Sequence, residues 1–288
     1  MNITEILMYV VLFVIGAILG SFACCEAWRI RLKQIGKKNP GKWSVCLSCG
    51  KRLKPIENIP VFSWIAQRGK CRHCGASIGK VEILAELSLG AAMVAFGAFF
   101  YPEFASATVG PFAPRMLMLI LIALVLIVSL TVMWILAIYD ARWQELPVKL
   151  LIALNVCAVA YVVIRFTVLI SSSLGTNTFP GDLLEPLLSI LGAVAILAGT
   201  YFLLYFFSKE KLVGSGDWLV ALPIALILSH WWLALVVLFL SNLLGSVYGF
   251  YQKVKKKQSQ IPFGPFLILA FVIVYVAQNW LISLIASL

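Results

Sequence analysis

Eight runs of apolar residues divide the chain, at positions 6–25, 83–100, 117–139, 150–170, 187–207, 218–229, 231–251 and 263–285. Most approach the ~20 residues a helix needs to cross a bilayer. The sixth is short and carries Pro223, which removes a backbone donor and makes this run the weakest of the eight. The longest polar stretch lies between the first two runs. The pattern predicts an all-α polytopic membrane protein of about eight transmembrane helices, with a small loop domain between the first and second that charge placement and cysteine spacing make cytoplasmic and zinc-ribbon-like. The expected divisions are a first helix at 1–28, a four-cysteine loop at 29–81 and a seven-helix membrane core at 82–288.

Composition excludes a soluble globular domain: 62% of residues are hydrophobic, 12% are charged, and the mean hydropathy is +0.99. The placement of charge then orients the chain. Of 23 Lys and Arg, 13 fall between Arg29 and Lys80 and four between Lys253 and Lys257. Lys209 and Lys211 precede the Gly214-Ser215-Gly216-Asp217 turn between the fifth and sixth runs, and Arg142 and Lys149 follow Asp140. The loops 101–114 and 171–186 have no Lys or Arg. Under the positive-inside rule this alternation gives an N-out, C-out topology with the basic loops in the cytoplasm. The net charge of +11 is thus a topology signal, and no nucleic-acid partner is called for. The first run lacks a basic flank before it and a small-residue cleavage site after it, so it reads as a retained helix. The basic connector at 253–260 reads as a topology anchor.

Four of the seven cysteines form Cys46-Leu-Ser-Cys49 and Cys71-Arg-His-Cys74, separated by 21 residues and each followed by a glycine, Gly50 and Gly75. Two such knuckles are the usual four-thiolate arrangement for zinc, and a closed set of four leaves no open position for catalysis. One structural zinc per chain is expected, folding a polar loop with little core of its own. Unliganded thiols, a redox pair, or His73 substituting for one cysteine are the alternatives. Cys24, Cys25 and Cys157 read as small packing residues, and His230, beside Trp231 and Trp232, as part of an interfacial aromatic belt.

The chain contains only three aspartates, and two of them, Asp140 and Asp217, fall where an apolar run meets a basic cytoplasmic loop. Each alone has a plain structural account, an interfacial anchor for Asp140 and a helix N-cap for Asp217. As a pair they suggest an aspartic-protease dyad, in which one carboxyl keeps a proton and the other activates water. No His-Glu-x-x-His motif is present, and the two histidines offer no base for a serine or cysteine nucleophile.

These residues, taken in order, resemble the type IV prepilin peptidases. The resemblance runs through Gly20-Ser21-Phe22, the cysteine loop with Asn58-Ile59-Pro60, Ser63-Trp64 and Arg68–Gly75, then Val81-Glu82-Ile83-Leu84, Asp140 with Leu146-Pro147, the Gly214–Asp217 turn and Pro262-Phe263-Gly264-Pro265. Val148 and Leu219 depart from it, as does Gly79-Lys80, which replaces a Tyr-Pro. The resemblance implies a bacterial inner-membrane enzyme that cleaves the basic leader of prepilins or pseudopilins on the cytoplasmic side. It then methylates the new N-terminus from S-adenosylmethionine. Asp140 and Asp217 map onto the family's catalytic aspartates. Glu26 and Glu82 are candidates for the methyl-donor site, with interfacial ion pairing as their alternative. The basic loop is expected to face anionic membrane lipid. Two rival functions are a Gly-x-Gly-Asp protease acting on other membrane anchors, and a non-enzymatic scaffold or transporter with a zinc-stabilised loop.

Overall fold

The computed structural model describes residues 2–36, 41, 43–107, 113–173, 181–209, 213–256 and 262–286. Lys211 and positions 257–260 of the basic connector lie outside them. The described residues form ten α-helices: α1 (Ile3–Gln34), α2 (Phe62–Ala66), α3 (Lys80–Ala107), α4 (Ala113–Trp143), α5 (Val148–Ser173), α6 (Gly181–Val194), α7 (Thr200–Ser208), α8 (Asp217–Leu228), α9 (Trp231–Lys256) and α10 (Gly264–Ala286). Among them there is no extended strand, only the isolated antiparallel bridges Val45↔Arg52 and Lys70↔Ser77. A π-helical turn at Ala195–Gly199 joins α6 to α7 into one apolar rod.

Among the described residues, seven helical stretches are long and apolar enough to cross a membrane: Ile3–Gln34, Lys80–Pro102, Met116–Trp143, Val148–Ile170, Leu183–Ser208, Trp231–Val254 and Gly264–Leu284. The sixth apolar run of the sequence becomes the 12-residue α8, about 18 Å long at 1.5 Å per residue. That is short of the ~30 Å hydrocarbon core. The reason lies in its surroundings. α8 packs against α5, α6, α7, α9 and α10, and Val220, Ala221, Ile224 and Ala225 are fully buried. A helix that is apolar on every side needs a protein interior, and α8 supplies the centre of the bundle. The lipid-facing surface is found elsewhere. On α9, Phe239, Leu243, Val247 and Phe250 recur at helical spacing on an exposed face.

The described chain divides into two compact units, Met1–Pro102 and Glu103–Leu288. In the first, α1 crosses close to α3: a Cβ on Gly20 would lie 2.6 Å from the Ala85 carbonyl oxygen. In the second, α5 packs on both α4 and α8, and α10 likewise on both. The two helices that carry Asp140 and Asp217 therefore share two neighbours.

Candidate functional site

Each unit holds one cluster of reactive side chains. In the first, both cysteine pairs adopt the same knuckle. Cys46 N–H donates to the Lys51 carbonyl at 2.9 Å and Gly50 N–H to the Cys46 carbonyl at 2.8 Å. Cys71 N–H to Ala76 at 2.8 Å and Gly75 N–H to Cys71 at 2.9 Å repeat the pattern. Gly50 and Gly75 both sit at φ +70°, a conformation that costs a side chain but not glycine. The knuckles bring all four Sγ atoms within 4.8 Å of one another, with Cys46 Sγ 3.9 Å from Cys74 Sγ. A tetrahedron with Zn–S bonds of about 2.3 Å has sulfur–sulfur edges of roughly 3.8 Å, so the donor set fits zinc. The Cys49 backbone N–H pulls the Cys46 thiol down to about 7, which favours the thiolate a metal needs. His73 stands outside the cluster, its Nε2 3.7 Å from Glu57 Oε1.

In the second unit, Asp140 lies in the last turn of α4 and is 6% exposed; Asp217 begins α8 and is 8% exposed. Neither plain account of these residues holds. Asp140 is buried, which an interfacial anchor would not be. Gly216, not Asp217, is the N-cap of α8, and no side chain caps that helix. The Asp217 carboxylate reaches backwards instead, where Oδ2 accepts the Gly214 N–H at 3.0 Å. Asp140 Oδ2 accepts the Gly264 N–H, the first amide of α10, at 2.8 Å. The end of α4 is a poor place for an anion and the start of α10 a good one, so α10 offsets the cost that α4 imposes. The two carboxyls stand within Coulombic range of each other.

Two close backbone approaches make this possible. A Cβ on Gly264 would lie 2.9 Å from Asp140 Oδ2, and one on Gly216 would lie 2.6 Å from Leu146 Cδ1. The Gly214–Asp217 turn thus seats against the segment that follows Asp140. That segment turns at Gln144, which takes a left-handed φ of +55° and returns its N–H to the Asp140 carbonyl.

Family models match most of the chain. Residues 14–100 match the bacterial peptidase A24 N-terminal domain, and residues 127–250 match the type IV leader peptidase family. The chain is 30% identical to the prepilin leader peptidase/N-methyltransferase of Dichelobacter nodosus over 233 residues, covering 79% of this chain and 68% of that protein. The chain belongs to the type IV prepilin peptidase family. The prepilin leader peptidase/N-methyltransferase of Vibrio cholerae serotype O1 is 25% identical over 278 residues, 93% of this chain and 96% of that protein. No solved structure matches. Within this chain, the N-terminal match contains the four cysteines and the leader-peptidase match contains both aspartates.

Sequence reasoning named both clusters but missed their supports. Pro223 cannot donate to the carbonyl four residues back, and the Leu219 oxygen so released accepts instead from Asn155 Nδ2 of α5 at 3.0 Å. A proline in one run and an asparagine in another were the available signal. Tyr201, fully buried just after the π turn, accepts from Asn242 Nδ2 and bonds the Ser241 hydroxyl, both at 3.0 Å. Its ring lies 5.3 Å from Phe263, next to Gly264. Of the two acidic candidates in the first unit, Glu82 lines a cavity, and Glu26 pairs with Arg29 at 3.3 Å.

Proposed function

We propose that this chain is a membrane-embedded aspartic endopeptidase that removes the basic leader of prepilins or pseudopilins at the cytoplasmic face of the bacterial inner membrane. In this reading it also methylates the N-terminus that cleavage exposes. The observation that carries the peptidase half is the buried aspartate pair, with each carboxylate fixed by a backbone amide. Asp140 and Asp217 are the catalytic residues. An ionised carboxyl takes a proton from water as the oxygen attacks the scissile carbonyl. Its protonated partner gives a proton to the departing amide nitrogen. Gly264 and Gly214 each occupy one carboxylate oxygen, so the second oxygen of each is the one used for this traffic. The burial of both groups strengthens every electrostatic interaction they make.

The methylation half rests on family membership together with a cavity in the first unit whose described lining carries Glu57, Glu82 and Glu86 against one cation, Arg29, a balance that suits a cationic cofactor. S-adenosylmethionine, when bound, supplies an electrophilic methyl group to the amine. Glu82, on its wall, and Glu26, paired with Arg29 of the same wall, are proposed to serve that site. Cys46, Cys49, Cys71 and Cys74 hold a structural zinc that keeps the loop folded. The scaffold or transporter alternative is not favoured, because it leaves the paired, amide-bound aspartates without a task. An N-out, C-out topology requires an even number of crossings. Seven long helices satisfy it only if α8 and its flanking turns also carry the chain across; reporter fusions at the C-terminus and at the 253–260 connector decide this.

The test of function is mass spectrometry of a prepilin co-expressed with the chain. Loss of the leader and a gain of one methyl are expected with wild type, and an intact leader with Asp140→Asn or Asp217→Asn. Wild-type trimming by either variant would sink the dyad.

A further inference from the structure

Between the two cysteine knuckles the chain forms a 3₁₀ turn at Pro55–Asn58 and then α2, and the two pack on each other. Their polarity is inverted. Glu57 is turned inward, 7% exposed, and Gln67 Nε2 donates to its backbone carbonyl at 3.4 Å. Ile56, Ile59, Phe62 and Ile65 are instead between 44% and 61% exposed. They recur every third residue, and side chains at that interval eclipse in a 3₁₀ turn and share a face of an α-helix. The result is an apolar stripe on the outside of a polar loop. Four large apolar side chains left in water carry an unfavourable free energy, and an exposed patch of this kind marks a membrane or protein contact.

Depth and charge point to the same cover. Val61, in the middle of the stripe, donates its N–H to Glu86 Oε2 at 2.6 Å. Val61 holds φ +62° there, a costly conformation for a β-branched residue that only fixed surroundings maintain. Glu86 is six residues into α3, which begins at Lys80, about 9 Å along the helix axis. The stripe is thus pinned beside a membrane-spanning helix at the level of Leu84 and Leu87, which are themselves exposed. Around it, Lys51, Arg52, Lys54, Arg68 and Lys70 are all exposed, and Glu57 is the only acidic residue between Arg29 and Lys80. Basic side chains bordering an apolar face match an anionic lipid surface. The same charge repels a basic leader.

We infer that Pro55–Ala66 is a membrane wedge, inserting Ile56, Ile59, Phe62 and Ile65 into the leaflet from which α1 and α3 emerge, with the bordering Lys and Arg on anionic headgroups. Attraction of a basic loop to lipid requires no insertion; the exposed stripe does. The wedge is independent of both halves of the proposed function.

Photolabelling of the full-length protein tests it, in nanodiscs of phosphatidylglycerol and separately of phosphatidylcholine. Each is doped with a lipid of the same headgroup that carries a diazirine near the top of an acyl chain. Peptide mapping is expected to find label on 55–66 as well as on the exposed face of α9. The 55–66 signal, relative to α9, should be about threefold higher in phosphatidylglycerol. The Phe62→Ser/Ile65→Ser variant, with zinc content unchanged, should lose most of the label at 55–66 and keep it on α9. The wild-type result needs no variant to fold: label on α9 with none on 55–66 overturns the wedge, the outcome expected if a second copy or a soluble partner covers the stripe. Equal labelling of 55–66 in the two lipids overturns the recognition of anionic headgroups.

Discussion

The cysteine loop and the aspartate pair reach their geometry by opposite routes. Each cysteine knuckle is closed by its own neighbours, through two short backbone bonds and a glycine at φ +70°. One knuckle is a near copy of the other, and only their meeting is long-range. The aspartates have no such local design. Asp140 depends on the first amide of α10, Asp217 on a turn seated against Leu146, and the two helices that bear them on α5 and α10 as common neighbours. A local site can be built from spacing, whereas a distributed one needs the whole bundle. The first should therefore fail with its metal and the second with its packing.

The largest expected effect is at the local site. Cys46→Ser or Cys71→Ser should lower bound zinc from about one per chain to none, as metal analysis will read. Structural zinc in small domains is worth about 10–16 kcal/mol, so limited proteolysis should then cut within 41–79. If the loop stays resistant without metal, it does not depend on zinc. Next comes the chemistry of the distributed site. Asp140→Asn or Asp217→Asn should reduce leader cleavage by roughly 10²–10⁴-fold, the usual share of general acid–base catalysis, with zinc content unchanged. Then its packing: Asn155→Leu leaves the Leu219 carbonyl without its side-chain donor at a cost of about 1–3 kcal/mol, read as a lowered melting temperature. Gly264→Ala should slow cleavage by about tenfold, since the added Cβ displaces the Asp140 carboxylate by tenths of an ångström. Unchanged cleavage in that variant would show that the α10 amide does not position Asp140.

The smallest effect returns to the cysteines. Cys46 titrates near 7 because the Cys49 N–H favours its thiolate. Zinc binding displaces that proton and those of the other thiols, among them Cys74, which is pushed up to about 11, so affinity for metal goes on rising with pH above 7 and falls more steeply below 7, where Cys46 also takes up a proton. Competition with a chelator across pH 6–8 will show this, and a slope that does not steepen below pH 7 would remove Cys46 as the thiol that sets the bend.

The same contrast explains what could be read in advance. Four cysteines at knuckle spacing announce their geometry, because the bonds that close each turn lie within a few residues. The two aspartates were visible through scarcity and sidedness, but not their supports. A backbone amide such as that of Gly264 has no residue-type signature. Asn155 looks like a stray polar group in an apolar run until α5 is known to lie against α8. The sixth run could be read as the shortest and weakest of the eight, but its burial could not: an apolar run reads the same whether lipid or protein surrounds it, and around α8 it is protein.

The bond from Asn155 to Leu219 also has a mechanical consequence. One rung missing from the α8 ladder at Pro223 is supplied by another helix, so α8 cannot turn or slide without breaking a polar bond to α5. Asp217, two residues before that rung, is therefore tied to α5 as well as to its own helix. Any substrate that shifts the Gly214–Asp217 turn has to carry α5 with it.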